Sequence, residues 1–539
     1  MYTVTIETEF SAAHMHSLIH FLVVITLVMS FQNRCFTAPP DDNSPIAATT
    51  AGKIRGYVEN GINAFKGIPY GDDTKRHRFL PPVSPTPWNG IRDAIQFGPI
   101  APQQPLRDFK ISSMSEDCLN LNVWTPALRD GGKRPVMVWF HGGAYNTGTS
   151  NMNLNDGVRL SHRGNVVVVT VNHRLNVFGY LFLAQFRKSE FIESGNIGML
   201  DLILALKWVR DNITEFGGDP NNVTIFGQSG GGAKCATLMA MPTARGLFHK
   251  VITESGQQIS GRKQDAATET AAKVLNNLQL TADQIDKLKT IPMEKLIDAS
   301  RGFYFGPVTD GKILPRDPFD PDASPISSDI PMMMGNTHDE TAGLIGRGDS
   351  TTFTLTWEKL PAKIEQHVKQ FLGNLSPSDV IAKYRQWYPN YTPSDAFFSI
   401  TTAARSWRGL VIESERRAEQ NGAPTYVFQI NWKSPVDGEK WRASHAIEIP
   451  FVFDNIAYGA SMVGTSSEAQ KMADIMSEVW IAFARSGNPN TSTIPQWPAF
   501  NLKERPTMIF DLPSRIENDP RGEERILFAP VTYIQPGTL

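Results

Sequence analysis

The sequence predicts an α/β protein with a mostly parallel central sheet, because short buried strands alternate with helical segments along the chain. Residues 135–140, 165–171 and 223–226 are apolar runs rich in β-branched side chains, of the kind that parallel sheets bury on both faces. Between the second and third runs, apolar residues recur at helical spacing over 202–213. Strands and helices that alternate in this way form βαβ units, so we expect helices on both faces of the sheet.

Two later stretches, about residues 257–300 and 352–421, have helical patterns, and a strand pattern returns over 424–432. We expect both helical stretches to be excursions that cover the sheet rather than separate domains. The sequence thus predicts one folded domain over 47–539.

Composition excludes several classes of protein. The chain has 539 residues, of which 41% are hydrophobic and 20% charged, as in a globular protein with a large core. Its net charge of −2 provides no basic field for nucleic acid. Its cysteines, Cys35, Cys118 and Cys235, suit neither a disulfide framework nor a metal site. We therefore expect a small-molecule ligand and no cofactor or metal, while the oligomeric state stays open.

The N-terminus has the features of a leader. Residues 18–31 form an apolar run that is short for a membrane span but suits the core of a signal peptide. A start at Met15 would place this run close to the N-terminus. We expect a signal over 1–37, a proline-rich linker over 38–46, and secretion or export to the periplasm. The alternatives are a membrane anchor through 18–31 or a cytoplasmic protein.

A glycine-rich turn follows the strand at 223–226. Residues 227–231, Gly-Gln-Ser-Gly-Gly, fit the G-x-S-x-G pattern, in which a tight turn between a strand and a helix exposes one serine. The pattern also fits an ordinary turn, but a strand precedes it and residues 234–241 favour a helix. Ser229 is therefore the candidate nucleophile.

A serine hydroxyl needs a base, usually histidine, which a carboxylate orients. In folds with this turn the chain order is serine, acid, histidine. His445, on a loop after the 424–432 strand, fits that order best, whereas His338 and His367 fit it poorly. Spacing leaves three acids open, namely Asp310, Asp339 and Glu340.

Backbone amides must stabilise the negative charge that develops on the attacked carbonyl. Folds with this turn use the residue after the serine, here Gly230, and a glycine-rich turn after an early strand. The segment 141–144, His-Gly-Gly-Ala, follows the strand at 135–140 directly. It supplies the candidate oxyanion turn.

Four segments together resemble the type-B carboxylesterase family, the cholinesterase-like branch of the α/β-hydrolases. They are residues 115–124, 172–179, 216–229 and 444–453, and bacterial carboxylesterases look most similar. The resemblance extends from about Ala47 to the C-terminus. It implies an α/β-hydrolase fold and a serine carboxylesterase that works through an acyl-enzyme.

The resemblance also implies roles for individual residues. The catalytic triad would be Ser229, Glu340 and His445. The oxyanion hole would be the amides of Gly143, Ala144 and Gly230, with Gly142 supporting the turn.

The chain departs from the family pattern at several positions. Gln228 stands where the family often has glutamate, and Gly230 stands where it often has alanine, which we expect to add room. Ala101 replaces the usual cysteine partner of Cys118, so we expect Cys118 to be a free, buried thiol. The 101–118 loop is short and has no tryptophan, which disfavours choline esters as substrates.

Two other functions are open alternatives. The same site could hydrolyse a carbamate, a lactone or a multi-ester natural product. Some family members are catalytically dead binding domains, but these lose triad residues that this chain keeps.

Overall fold

The computed structural model describes residues 44–104, 113–186 and 190–536. Contacts divide the chain into Met1–Ser44 and Pro45–Leu539, and every element below belongs to the second unit. The predicted leader lies outside the described residues. Within the described part of the chain, no helix has the length and apolar character needed to cross a membrane.

The strands form one large sheet and one small sheet. They are β1 (Ile46–Ala48), β2 (Lys53–Arg55), β3 (Tyr57–Glu59), β4 (Ile62–Pro69), β5 (Ile91–Asp93), β6 (Asn120–Thr125), β7 (Arg134–Phe140), β8 (Val167–Val171), β9 (Gly218–Gln228), β10 (Lys250–Glu254), β11 (Met332–Thr337), β12 (Thr425–Ile430), β13 (Pro506–Phe510) and β14 (Arg515–Asn518). The large sheet has the order β14-β13-β12-β11-β10-β9-β7-β8-β6-β4-β3, and the small one β1-β2-β5.

The α-helices lie between and after these strands. They are α1 (Val158–Gly164), α2 (Asn176–Tyr180), α3 (Ile197–Asn212), α4 (Gly230–Leu238), α5 (Gln264–Asn277), α6 (Met293–Ala299), α7 (Glu340–Leu344), α8 (Leu360–Leu372), α9 (Pro377–Trp387), α10 (Pro393–Thr402), α11 (Arg408–Gln420), α12 (Ile449–Val452), α13 (Ala460–Val463), α14 (Ser467–Ser486) and α15 (Gly522–Phe528).

The centre of the large sheet is parallel, as predicted. Strands β8, β7, β9, β10, β11, β12 and β13 pair in parallel, and antiparallel strands flank them on both sides. Val251 of β10 lies between Ile225 of β9 and Met332 of β11. The carboxyl ends of these strands therefore meet at one edge, where an α/β sheet places its ligand site.

The central strands bury both faces. In β7, Val138 and Phe140 join the apolar cluster that contains α3 and α4, whereas Met137 and Trp139 join the cluster that contains α14. Side chains of a strand alternate between faces, so a run of apolar residues supplies both clusters at once. Cys118 lies in the first cluster as a free, buried thiol, as expected.

The predicted helical excursions are present. Helices α5 and α6 lie in the first predicted stretch, and α8 to α11 lie in the second. Helices α8 to α10 share an apolar cluster of their own, which includes Ile364 and Phe397. A short π-helix, Ala403–Trp407, connects α10 to α11.

Candidate active site

Ser229 lies at the junction of β9 and α4, at the carboxyl edge of the sheet. Its backbone has φ 57° and ψ −125°, a conformation that residues other than glycine rarely adopt. Its N–H donates to the Glu254 carbonyl at 2.7 Å, which ties the turn to β10. Helix α4 begins at Gly230, four residues earlier than the sequence predicted, because the strained turn leads straight into the helix.

The turn packs against the segment that follows β7. A Cβ atom on Gly231 would overlap the Phe140 carbonyl oxygen, and one on Gly230 would overlap the backbone of Ala144. The expectation that Gly230 adds room to the site is therefore wrong, since the oxyanion turn fills that space. Glycine at position 230 instead allows two backbone segments to approach each other closely.

The amides of Gly143 and Ala144 belong to the turn that packs against Gly230, the residue after Ser229. Gly143 has φ +84° and Ala144 has φ 52°, and the Gly143 carbonyl accepts hydrogen bonds from the N–H groups of Asn146 and Thr147 at 3.2 and 3.1 Å. The amides of Gly143 and Ala144 donate to no acceptor among the described residues. Gly230 is the first residue of α4, so no helical carbonyl accepts its N–H. The turn therefore presents donors suited to a developing oxyanion.

Lys234 of α4 donates hydrogen bonds to the candidate oxyanion turn, residues 141–144. Its side chain is fully buried, and Nζ donates to the carbonyls of His141 and Ala144, each at 2.9 Å. Burial lowers the pKa of Lys234 to about 7. Burial, with Lys234 nearby, lowers the pKa of His141 to about 3, so that imidazole is neutral. Sequence reasoning missed Lys234, for which the only signal was a lysine within a buried helix.

His445 contacts a buried carboxylate. It lies on the loop between β12 and α12, and its Nδ1 contacts Oε2 of Glu340, the first residue of α7. Glu340 also accepts the Thr337 N–H at 2.9 Å and is fully buried. Because a carboxylate only accepts hydrogen bonds, Nδ1 carries the proton in the neutral imidazole. The lone pair of Nε2 is then available to a donor.

The side chains of the other two candidate acids bind other partners, although the backbone of Asp339 pairs with Ser444 next to His445. Asp339 pairs with His338 at 3.1 Å, and Asp310 accepts from Asn196 at 2.9 Å. Strand β11 runs to Thr337, because its last residues continue to pair with β12. This extension carries the chain to the edge where α7 begins.

Gln228 contacts the other nitrogen of the imidazole. Its Nε2 lies 3.1 Å from Nε2 of His445, whereas Ser229 forms no side-chain hydrogen bond at the start of α4. With Nδ1 donating to Glu340, the amide of Gln228 donates to the Nε2 lone pair. Sequence reasoning noted only the lost charge at this position and missed the contact.

Two further buried carboxyl groups, those of Glu254 and Glu448, lie near Glu340. Burial raises the pKa of Glu254 to about 8 and raises that of Glu448 well above its usual range. Trp480 Nε1 donates to Glu254 at 2.7 Å. Both groups are therefore biased toward the neutral form, which limits the negative charge around Glu340.

Ser229 and His445 open onto one pocket of about 140 Å³. Its described walls include Tyr145, Tyr304 and Arg405, which come from separate parts of the chain. The sequence did not place these residues, because their meeting depends on how the helical excursions pack. Residues 105–112 of the short loop considered above lie outside the described chain.

Comparisons with known proteins give one consistent family. A sequence profile of the Carboxylesterase family matches residues 43–526. The chain is 37% identical over 501 residues to para-nitrobenzyl esterase of Bacillus subtilis (strain 168), which covers 89% of this chain and 97% of that protein. It is 30% identical over 499 residues to phenmedipham hydrolase of Pseudarthrobacter oxydans, which covers 86% of this chain and 94% of that protein.

A solved structure agrees with the sequence matches. The crystal structure of a Geobacillus stearothermophilus carboxylesterase has a TM-score of 0.79 and 34% identity, and the match covers 90% of this chain and 99% of that chain. The fold is therefore the α/β-hydrolase fold. With a family profile and full-length relatives in agreement, the chain belongs to the carboxylesterase family and is a serine carboxylesterase.

Proposed function

We propose that Ser229, His445 and Glu340 are the catalytic triad of this esterase. Ser229 Oγ attacks the ester carbonyl while His445 Nε2 takes the hydroxyl proton. Glu340 accepts from Nδ1 and so keeps the lone pair on Nε2, where the proton must go. The contact between His445 and Glu340 carries this proposal. The side-chain amide of Gln228 must move away from Nε2 of His445 before the hydroxyl of Ser229 can donate to that nitrogen.

The oxyanion hole in this proposal consists of the amides of Gly143, Ala144 and Gly230, with Gly142 supporting the turn. The tetrahedral intermediate places its negative oxygen against these donors. The alcohol leaves with the proton from His445, and an acyl group stays on Ser229. Water then attacks the acyl-enzyme with His445 again as base, which releases the acid and restores the serine.

Covalent labelling tests the triad. A fluorophosphonate should label the wild-type protein and not Ser229→Ala, and Ser467→Ala, a surface serine, serves as the matched control. We expect kcat for a simple ester to fall by about three or more decades in Ser229→Ala and in His445→Ala. His338→Ala provides the comparison for the base, because its ring pairs with Asp339 instead. Near-native turnover in His445→Ala together with loss in His338→Ala would reject our assignment.

We also propose that residues 1–37 are a signal, followed by a linker over 38–46, a single catalytic domain over 47–539, and a secreted or periplasmic location. The apolar run at 18–31 supports this proposal. N-terminal sequencing of exported protein should find a start between about Arg34 and Ser44. An intact leader in the membrane fraction would instead indicate an anchor.

A further inference from the structure

Arg405 borders the pocket that contains Ser229 and His445. It lies in the π-helix Ala403–Trp407, and short π-helical turns occur often at functional sites. Its side chain is only partly accessible, and burial lowers its pKa. A cation held at this depth loses solvation that some acceptor must replace.

The described part of the chain provides little of that replacement. One guanidinium nitrogen of Arg405 donates to Ser406 Oγ at 3.1 Å, and no described carboxylate forms an ion pair with it. By contrast, the buried Arg174 pairs with Asp201 at 2.6 Å. A guanidinium has five N–H donors, so most of those on Arg405 are available to water or to a ligand.

Other donors lie on the walls of the same pocket. Gln257 is 8% exposed, and its Nε2 is buried without a hydrogen-bond partner. Tyr304, another wall residue, has a hydroxyl whose pKa burial raises to about 12, so it remains a donor. The described lining includes no carboxylate. The pocket therefore offers positive charge and hydrogen-bond donors, and a matching ligand supplies negative charge and acceptors.

We propose that Arg405, with Gln257 and Tyr304, forms a subsite for a carboxylate carried by the ester substrate. The preferred substrates are then esters with a free acid group, such as half-esters of small dicarboxylic acids. This inference rests on the proposed function, since it assigns the rest of the molecule that Ser229 cleaves.

The chemistry of the two groups supports the match. A guanidinium presents parallel N–H donors in a plane that fits both oxygens of a carboxylate. The charge of Glu340 favours the protonated form of Arg405, but the two residues form no ion pair, and each oxygen of Glu340 already accepts a hydrogen bond, from His445 or from Thr337. A substrate carboxylate would therefore accept hydrogen bonds from the free N–H groups of Arg405. It would also fix the position of the ester relative to Ser229.

Matched substrates test the proposal for both sides of the ester. Monoethyl succinate and ethyl levulinate differ in the acyl part by a carboxylate in place of an acetyl group. O-Acetylglycolate and acetoxyacetone differ in the same way in the alcohol part. We expect the anionic member to have the higher kcat/KM in at least one pair. Release of acid is followed by pH-stat titration.

Variants assign the preference to Arg405. In Arg405→Gln the ratio of kcat/KM between the anionic and neutral esters should fall on the order of tenfold or more, because a charged hydrogen bond is lost. Arg405→Lys should recover part of the ratio, since it keeps the charge but not the planar donors. Arg416→Gln, which removes one positive charge from a surface ion pair, should leave the ratio at the wild-type value.

A binding measurement separates this inference from the proposed function. In Ser229→Ala protein, calorimetry should show tighter binding of monoethyl succinate than of ethyl levulinate, and Arg405→Gln added to that background should abolish the difference. If no ester is hydrolysed but this binding difference exists, the proposed function fails and the subsite stands. The subsite is rejected if neutral esters are hydrolysed and bound as well as anionic ones in both pairs. It is also rejected if Arg405→Gln lowers both members equally.

Discussion

Lys234→Met should lower kcat far more than it lowers stability. The variant keeps the length of the side chain but removes the donors to the carbonyls of His141 and Ala144, each now bonded at 2.9 Å. An unsatisfied buried carbonyl costs about 1–3 kcal/mol, so two cost about 2–6 kcal/mol. Without Nζ the oxyanion turn can shift, and loss of one oxyanion donor typically lowers kcat by about 10²–10³.

The same substitution also removes a cost. Burial lowers the pKa of Lys234 from 10.5 to about 7. At about 1.4 kcal/mol per unit, charging the buried lysine costs on the order of 5 kcal/mol at and below pH 7. Gain and loss are of similar size, so we expect the free energy of unfolding to change by less than about 2 kcal/mol at neutral pH.

The pH dependence has a definite sign. Between about pH 7 and 10.5 the unfolded chain binds a proton at Lys234 that the folded protein has released. The stability of the wild type relative to Lys234→Met should therefore rise with pH over that range.

Urea denaturation and ester turnover at 25 °C measure both effects. Lys207→Met, on the exposed face of α3, is the matched control and should change neither quantity. Native kcat in a folded Lys234→Met protein would refute the reasoning, because the oxyanion turn would then keep its geometry without Nζ. A large loss of stability with a proportionate loss of folded enzyme would refute it as well.

Three further predictions concern neighbouring groups. Gly230→Ala should lower kcat by about tenfold or more, because its Cβ overlaps the oxyanion turn and displaces a donor. Gly348→Ala, whose Cβ would meet only the Ile345 carbonyl oxygen at an ordinary contact distance of 3.6 Å, should leave kcat unchanged; steady-state kinetics of both variants decide. Gln228→Glu should move the acidic limb of the kcat/KM profile to higher pH, since a carboxylate beside His445 favours the protonated imidazole; an unmoved limb contradicts this. Burial raises the pKa of Glu413 from 4.5 to about 8, so the folded protein keeps a proton that the unfolded chain loses. Between about pH 4.5 and 8, the free energy of unfolding of the wild type relative to Glu413→Gln should then fall as pH rises, by up to about 1.4 kcal/mol per pH unit. Urea denaturation at several pH values measures this change.

The sequence alone predicted the parallel sheet and the nucleophile turn, because both follow from local patterns. An apolar run such as 135–140 can only be buried on both faces, and the glycines around Ser229 suit only a tight turn. Chain order then favoured His445 over the other histidines as the candidate base. Each of these inferences depends on residues close together in the chain or on a simple order of elements.

Tertiary structure decided the contacts between distant segments. Spacing left three acids open, and only the fold brings Glu340 against His445 across 105 residues of sequence. The two hydrogen bonds of Lys234 and the position of Arg405 in the pocket have no local sequence pattern either. They arise because the sheet edge and the helical excursions pack many separate segments around one small volume, and packing of that kind depends on the whole chain.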